Sequence, residues 1–451
     1  MSTLRALVGV AVSVCACGGS PMLPANGAGD DDAAQIGKLL TLEEEVLRDL
    51  AAIDRRIAAR ARIEPTDEDL RRVNMAAVLA EDATLAVVDN AIDPFSFEAR
   101  ARGLAAAKAK LERAPSRLPA SAPGMVAAPA LERELLARLV DEETARLEEE
   151  RSLPRSASAL VRAIVETWAP PRGVDPTAAR DRWLARRLGE VKTALATTAL
   201  DVVRARELDD ALDALEHAID APGFGAATAE LLKLRETLEA QGSRPPAGPT
   251  SDWGELARRA RAHLGWTESP EALDARLASL EAALRAAATE AVARSRASED
   301  ALFSRAAALV FAGGPPCTSA VPGSIVRSMA APPEREAPCR LRQAAASASD
   351  DDARAATLVA MHEYVIVARW ALDVARGAST IAEATAKHRP MSRPTPDVTA
   401  RWERVALARP TAAIAGGLAA EVLRADPPRR AKAWMDLGEV PMDVAERLLP
   451  K

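Results

Sequence analysis

The stretch from Glu271 to Ala312 contains neither glycine nor proline and is the longest such stretch in the chain. Within it, four leucines recur at intervals of four, three and four residues, which places them on one face of an α-helix: Leu273, Leu277, Leu280 and Leu284. Ser269 and Pro270, just before the stretch, are a favourable N-cap and first helical residue. Alanine replaces leucine after about two heptads, so the pattern predicts a bundle helix rather than an extended coiled coil.

The composition of the chain favours close-packed helices over sheets. Of its 451 residues, 48% are hydrophobic but only 3% are aromatic, and much of the hydrophobic share is alanine. Alanine is the best helix former and contributes little buried area, whereas sheets favour β-branched and aromatic side chains. No segment shows the alternation of a half-buried strand. We therefore predict an all-α fold.

Further helices are predicted where apolar residues recur at helical spacing between breaks that contain glycine or proline. In the first of these segments, Thr41 and Glu44 have the spacing of a capping box. The predicted segments are 38–64, 66–92, 97–113, 130–152, 156–168, 177–219, 223–241, 251–264 and 355–377, with shorter helices beyond 389.

The first twenty residues have the organisation of an export signal. Arg5 supplies a positive charge, and residues 6–14 form an apolar core of nine residues. A membrane-spanning helix needs about twenty apolar residues, so this segment predicts a signal peptide and not a span.

The end of this signal resembles the lipobox of bacterial lipoproteins, in which an aliphatic residue and two small residues precede an invariant cysteine. Val14, Cys15, Ala16 and Cys17 match that order. The other register, with Cys15 as the invariant cysteine, would put Val14 where the family has Gly, Ala or Ser. The resemblance therefore selects Cys17 and implies residues 1–16 as the signal peptide. An ordinary secretory signal, cut at a later small residue, is the open alternative.

The resemblance implies that Cys17 carries a diacylglyceryl thioether and usually an acyl chain on its new amino group, a stable membrane anchor. Gly18, rather than Asp, follows the cysteine, which in the well-studied sorting scheme favours the outer membrane. Residues 17–35 are rich in Gly, Pro and Asp and predict a flexible tether. The expected location is the bacterial cell envelope, with the membrane as one partner.

Two segments resemble each other at an offset of 127. Residues 91–119 and 218–246 align without gaps and match at 11 of 29 positions. Some of this similarity reflects alanine content, but Ile92/Ile219, Asp93/Asp220 and Phe97/Phe224 do not. The match predicts a duplicated helical unit; chance similarity between two helix corners is the alternative.

This similarity and the breaks between helices predict three folded parts. They are a helical bundle over 36–170, a related bundle over 171–312, and a helical C-terminal domain over 313–451 that begins with a cysteine-containing loop. The loop carries Cys317 and Cys339, the two cysteines that remain after Cys15 is removed and Cys17 is lipidated. The export signal places them in an oxidising compartment, so we predict that they form a disulfide.

Residues 355–377 form the most apolar helix predicted for the mature chain, and Gly377 is placed to end it. His362 and Glu363 would then be polar groups in a mostly buried helix. They are the only candidates for an acid–base site, against the simpler interpretation of a structural hydrogen-bond network. Arg369 and Asp373 have the spacing of an i,i+4 ion pair. Trp402 and Trp434 are expected to pack on this helix.

Other chemistry is not indicated. The chain has four histidines, none in an HExxH or Glu-x-x-His motif, and it lacks GxSxG, Walker, GxGxxG and CxxC motifs. No metal and no cofactor are therefore predicted, and the carboxylates are expected on helix surfaces. With a net charge of −6 and no basic stripe, nucleic acid is not an expected partner.

These observations predict a lipid-anchored, non-enzymatic envelope protein that binds or scaffolds a protein partner. The alternatives are an envelope hydrolase or other enzyme with a site near His362 and Glu363, and a carrier of an apolar ligand between bundle helices.

Overall fold

The computed structural model describes residues 30–64, 66, 97–114, 129–151, 161, 176–197, 200, 202–220, 223–242, 253–311, 317, 321 and 324–449. Within these ranges the chain forms α-helices and two short 3-10 helices and no strand, which confirms the all-α prediction. The first eight helices are α1 (Asp30–Ile53), α2 (Arg55–Ala61), α3 (Phe97–Glu112), α4 (Pro129–Arg151), α5 (Pro176–Thr197), α6 (Val202–Ile219), α7 (Gly225–Gly242) and α8 (Trp253–Leu264). The others are α9 (Pro270–Arg294), α10 (Glu299–Leu309), α11 (Glu336–Ala346), α12 (Asp351–Ala375), α13 (Ile381–Lys387), α14 (Pro396–Ala408), α15 (Pro410–Leu423), α16 (Pro427–Leu437) and α17 (Met442–Leu448).

Helix α12 lies at the centre of the fold, as its apolar composition predicts. It packs along α9 on one side and α15 on another. Gly416 and Gly417 of α15 allow the close approach, because a Cβ at Gly417 would lie 2.8 Å from the Cβ of Ala368 and one at Gly416 would overlap the ring of Tyr364. At the end of α12, Gly377 adopts a φ of +67° and donates its N–H to Val374, which confirms it as the terminating residue.

The stretch from Glu271 to Ala312 is two helices rather than one. Its N-cap is as predicted, since the Ser269 hydroxyl accepts the N–H of Ala272 at 3.2 Å. The four leucines are all buried. The helix ends because the Asp352 carboxylate accepts hydrogen bonds from the Ser295 hydroxyl and the Arg296 N–H, which draws the backbone away from helical geometry. A contact from a distant helix therefore sets this break.

The first helix begins earlier and ends earlier than its sequence pattern predicts. It starts at Asp30, inside the segment expected to be a flexible tether. Thr41 does not cap it, because the Thr41 hydroxyl bonds back to the Gly37 carbonyl at 3.0 Å within the helix. The helix breaks at Asp54, whose buried carboxylate pairs with Arg100 of α3 at 3.2 Å.

The buried side chains form two principal cores. The larger core takes residues from α1–α4 and from the whole range 256–449, and the smaller one takes residues from α5–α7 together with Val161. The predicted parts, 36–170, 171–312 and 313–451, stay a prediction for folding units. The cores group the helices differently, because α8–α10 pack with the C-terminal helices.

The two segments of the predicted duplication both contain a helix, α3 and α7. Leu104 of α3 and Leu231 of α7 occupy matched positions and are both buried, but in different cores. This correspondence does not demonstrate a duplication, which stays a prediction. The predicted helix over 177–219 is two helices, and Gly189 lies within the first of them.

Candidate functional site

His362 and Glu363 lie in the middle of α12. Both side chains are 0% exposed, and the His362 Nδ1 is 3.7 Å from the Glu363 Oε1. The Glu363 Oε1 accepts the backbone N–H of Ser392 at 2.9 Å, which ties the segment before α14 to the central helix. The structure therefore brings the two predicted residues together, but inside the core.

The remaining polar atoms of this pair have no hydrogen-bond partner in the described part of the chain. These atoms are both ring nitrogens of His362 and the Glu363 Oε2, and the Ser392 hydroxyl beside them is also unpartnered. A buried polar group without a partner costs roughly 1–3 kcal/mol. A general acid or base must come within hydrogen-bond distance of a substrate, and at 0% exposure neither side chain presents an atom to a substrate.

Arg369 and Asp373 do not pair with each other, contrary to the i,i+4 prediction. Arg369 binds Glu281 and Asp274 of α9. Asp373 accepts hydrogen bonds from His388 at 3.1 Å and Lys387 at 2.9 Å. Both residues therefore join α12 to its neighbours instead of stabilising its own surface.

Asp373 has a pKa far below the ordinary value of an aspartate. Burial alone raises its pKa, but the hydrogen bonds from His388 and Lys387 outweigh burial and bring the pKa to about 2. Asp373 is therefore a fixed anion in the core and not a proton donor near neutral pH.

Tyr364 of α12 connects this helix to the end of α10. Its hydroxyl donates to the Leu309 carbonyl at 3.1 Å and accepts the Phe311 N–H at 3.2 Å. The ring meets Phe311 edge-on, with centroids 4.9 Å apart. Burial raises the pKa of Tyr364 to about 12, so the phenol stays protonated and holds the end of α10 against α12.

Among the residues that the structure describes, an extensive polar cluster joins the cysteine loop to α4 and α11. Its three arginines are nearly or fully buried. Arg327 donates to Glu132 of α4 at 3.0 Å, and Arg335 pairs with Glu142 of α4 and with Glu439. Arg342 binds the second oxygen of Glu439 at 2.9 Å. The expectation that the carboxylates lie on helix surfaces is therefore wrong for Glu132, Glu142 and Glu439. These buried ion pairs connect the loop to helices distant in sequence.

Two acids around this cluster have shifted pKa values in opposite directions. Burial raises the pKa of Glu43, although its carboxylate accepts the N–H groups of Val326 and Ile325. Burial also acts to raise the pKa of Glu334, but Arg146 and His263 outweigh it and hold that pKa well below its usual range.

Cys317 and Cys339 form a disulfide with their Cα atoms 6.1 Å apart, as predicted. The Cys339 sulfur also accepts a contact from Arg342 Nη2 at 3.2 Å. The disulfide thus attaches the loop covalently to α11, the helix whose arginine takes part in the buried ion pairs. Trp434 packs beside the same Arg342, 5.6 Å from its guanidinium carbon, whereas Trp402 lies on α14, which packs on α12.

The remaining sequence predictions concern the lipidated cysteine, metal ligands and membrane-spanning helices. Cys15 and Cys17 lie outside the described residues. Among the described residues, no three His, Cys, Asp or Glu side chains are grouped to hold a metal ion. No single helix in those ranges is both long and apolar enough to cross a membrane; residues 396–407 and 410–423 pass that test only as a pair, with a bend of 104° between them.

The buried ion pairs were missed because a single sequence does not separate them from solvated charges. Arg335 and Arg342 lie at the C-terminal end of a proline-rich loop, and Glu132 and Glu142 lie in a helix with many other charged residues. The only available signal is the position of Glu132 and Glu142 beside Leu131, Leu135, Leu139 and Val140, which form the buried face of α4.

No protein-family model, no curated protein and no solved structure matches the chain.

Proposed function

We propose that this protein is a lipid-anchored, non-enzymatic binding or scaffolding module of the bacterial cell envelope. The observation that supports it is the enclosure of His362 and Glu363, the only acid–base candidates in the sequence, at 0% exposure inside the largest core. A partner would then meet the outer surfaces of the helices and not an internal site.

The anchor rests on the lipobox resemblance of residues 14–17. In this proposal Cys17 holds the protein at a membrane, expected to be the outer membrane, through two or more acyl chains. A chain of twelve residues lies between Cys17 and the start of α1 at Asp30. Fully extended, such a chain reaches at most about 40 Å, which keeps the helical body close to the bilayer.

The two other functions would require different structural features. An enzyme that used His362 would need an opening to the ring, and a carrier of an apolar ligand would need an internal cavity of several hundred Å³. The cavity of about 180 Å³ found between α9, α15 and α17 is partly open, does not reach His362 and has a charged rim.

The anchor is tested with matched cysteine variants. Cells that express the full chain, Cys17→Ser or Cys15→Ser are grown with radiolabelled palmitate and fractionated. We expect Cys17→Ser to lose the label and leave the membrane fraction, while Cys15→Ser behaves as the natural chain. Label retained by Cys17→Ser, or lost only by Cys15→Ser, would contradict the assignment.

A further inference from the structure

Glu43 of α1 is a buried acid that holds the backbone of the cysteine loop. It is only 4% exposed, and its Oε1 accepts the N–H of Ile325 at 3.0 Å and that of Val326 at 2.9 Å. The two donors stand at the start of the short 3-10 helix Val326–Ser328, 282 and 283 positions away in the sequence. One carboxyl group therefore attaches α1 to the loop.

A second carboxylate lies beside Glu43 on the same short segment. Glu132 of α4 accepts the Ser324 hydroxyl at 2.6 Å and Arg327 Nη1 at 3.0 Å. Four consecutive loop residues, 324–327, are thus divided between the two acids. The other hydrogen bonds of Arg327 go to two backbone carbonyls at the end of α16. Two acids therefore meet one guanidinium, and Glu132 is the one that binds it.

The cations of the other helices packed on α1 are bound to other acids. These pairs are Arg60–Glu143, Arg100–Asp54 and Lys110–Asp49. Glu44 and Glu45, the next residues on α1, are exposed. Within the described part of the chain Glu43 forms no ion pair, and the charged groups that act on it are Glu132 and Arg327.

These surroundings favour the protonated form of Glu43. A buried charge without a counterion is costly, whereas a protonated carboxyl group keeps a carbonyl oxygen that accepts both N–H groups. Burial raises the pKa of Glu43 and the Glu132 carboxylate raises it further, and together they outweigh the N–H groups and Arg327, which act to lower it. The contact between α1 and the loop is therefore strongest when Glu43 carries a proton.

We propose that Glu43 is a pH-sensitive latch between α1 and the cysteine loop, which is closed when its carboxyl group is protonated and weakened when that proton is released to solvent. Because the folded protein holds the pKa above its ordinary value of 4.5, the stabilisation is complete below that pH and is lost as the pH rises through the folded pKa. The latch goes beyond the proposed function and does not depend on a lipid at Cys17.

Hydrogen exchange of the full-length natural protein tests the latch without a substitution. Deuterium uptake of the loop peptide that contains Ile325 and Val326 is measured by mass spectrometry at pH 5 and pH 8. Each rate is corrected for the intrinsic exchange rate of the peptide at that pH. We expect the protection of this peptide to be about tenfold lower at pH 8 than at pH 5. Equal protection at the two pH values would overturn the proposal.

Glu43→Gln separates the proton on Glu43 from all other titrating groups. Glutamine keeps an acceptor oxygen for the two N–H groups and does not ionise. We expect the variant to show, at both pH values, the protection that the natural chain has at pH 5. Its midpoint of urea unfolding should exceed that of the natural chain at pH 8 and lie close to it at pH 5.

Glu44→Gln is the matched control for this variant. Glu44 is the next residue on α1, and its side chain is 54% exposed and pairs with Arg48 at 2.9 Å. We expect Glu44→Gln to reproduce the pH dependence of the natural chain. A Glu43→Gln protein that keeps this pH dependence, or whose loop peptide is less protected than that of the natural chain at pH 8, would overturn the latch.

Discussion

Arg327 and Glu132 form an ion pair of 3.0 Å in which the two side chains are only 1% and 2% exposed. Arg327 also donates to the Leu437 carbonyl at 2.6 Å and to the Asp436 carbonyl at 3.1 Å. One guanidinium therefore connects the cysteine loop to α4 and to the end of α16. Two buried charges of opposite sign are tolerated here because hydrogen bonds satisfy each of them.

Arg327→Met should lower the free energy of unfolding by about 3–5 kcal/mol, since it leaves the Glu132 carboxylate buried without its partner. Denaturant unfolding followed by circular dichroism measures this change. Arg354→Met is the control, because that side chain is 56% exposed and 3.7 Å from Asp351. It should change stability by less than about 0.5 kcal/mol.

A double variant keeps this prediction testable if Arg327→Met does not fold. Adding Glu132→Gln removes the unpaired charge, so Arg327→Met/Glu132→Gln should recover part of the lost stability. If Arg327→Met were as stable as the natural chain, the ion pair between Arg327 and Glu132 would not stabilise the fold.

Substitution by alanine should change the stability in opposite directions at Gly416 of α15 and at Gly189 of α5. Gly416→Ala places a methyl group on the ring of Tyr364 and should destabilise by about 1–3 kcal/mol. At Gly189 the nearest atom to a new Cβ is 3.7 Å away, so Gly189→Ala should stabilise by about 0.5–1 kcal/mol. Thermal unfolding of the two variants side by side measures the difference; a stabilised Gly416→Ala protein would contradict the close crossing of α12 and α15.

The pKa of Asp373 predicts a specific acid sensitivity. Its folded pKa of about 2 lies below its ordinary value of 3.8, so the stabilisation is present above pH 4 and is lost as the pH falls towards 2. The corresponding contribution is about 2 kcal/mol.

Asp373→Asn should therefore lower stability at pH 7 and flatten its dependence between pH 4 and pH 2. Unfolding curves at a series of pH values measure both effects. Glu290→Gln, a 70% exposed carboxylate on α9, is the control and should reproduce the natural pH profile. If the stability of Asp373→Asn fell between pH 4 and pH 2 as steeply as that of the natural chain, other carboxylates would account for the acid sensitivity.

Removal of the disulfide should destabilise the protein by about 3 kcal/mol, the chain-entropy value for a loop of this size. The variant is Cys317→Ser/Cys339→Ser, measured without reductant. Peptide mapping of the natural chain, purified without reductant, should find the two cysteines linked; free Cys317 in that sample would contradict the bond.

The sequence is sufficient to predict elements that depend on local patterns. The α9 leucines, the Ser269 cap and the Gly377 terminus follow from spacing and backbone preference, and the disulfide follows from the cysteine count and the predicted export signal. Features that depend on contacts between distant residues were not predictable. Asp352 ends α9 from 56 residues away, and Arg335 pairs with Glu142 across 193 residues.

For the candidate site, too, local patterns predict some features, while others depend on contacts between distant residues. The apolar character of α12 is sufficient to predict that His362 and Glu363 are in a mostly buried helix. Whether they border a cavity depends on how α9, α14 and α15 pack around them, which local patterns do not specify.

The proposed function requires that His362 and Glu363 of α12 are closed to solvent and that partners act at the outer surface. Histidine modification by diethyl pyrocarbonate, mapped by mass spectrometry on the native full-length protein, measures whether His362 is accessible. His217 is exposed and serves as the internal control. We predict that His217 is modified rapidly while His362 stays protected until denaturant is added. Modification of native His362 at a rate similar to that of His217 would contradict the claim and favour an enzyme site.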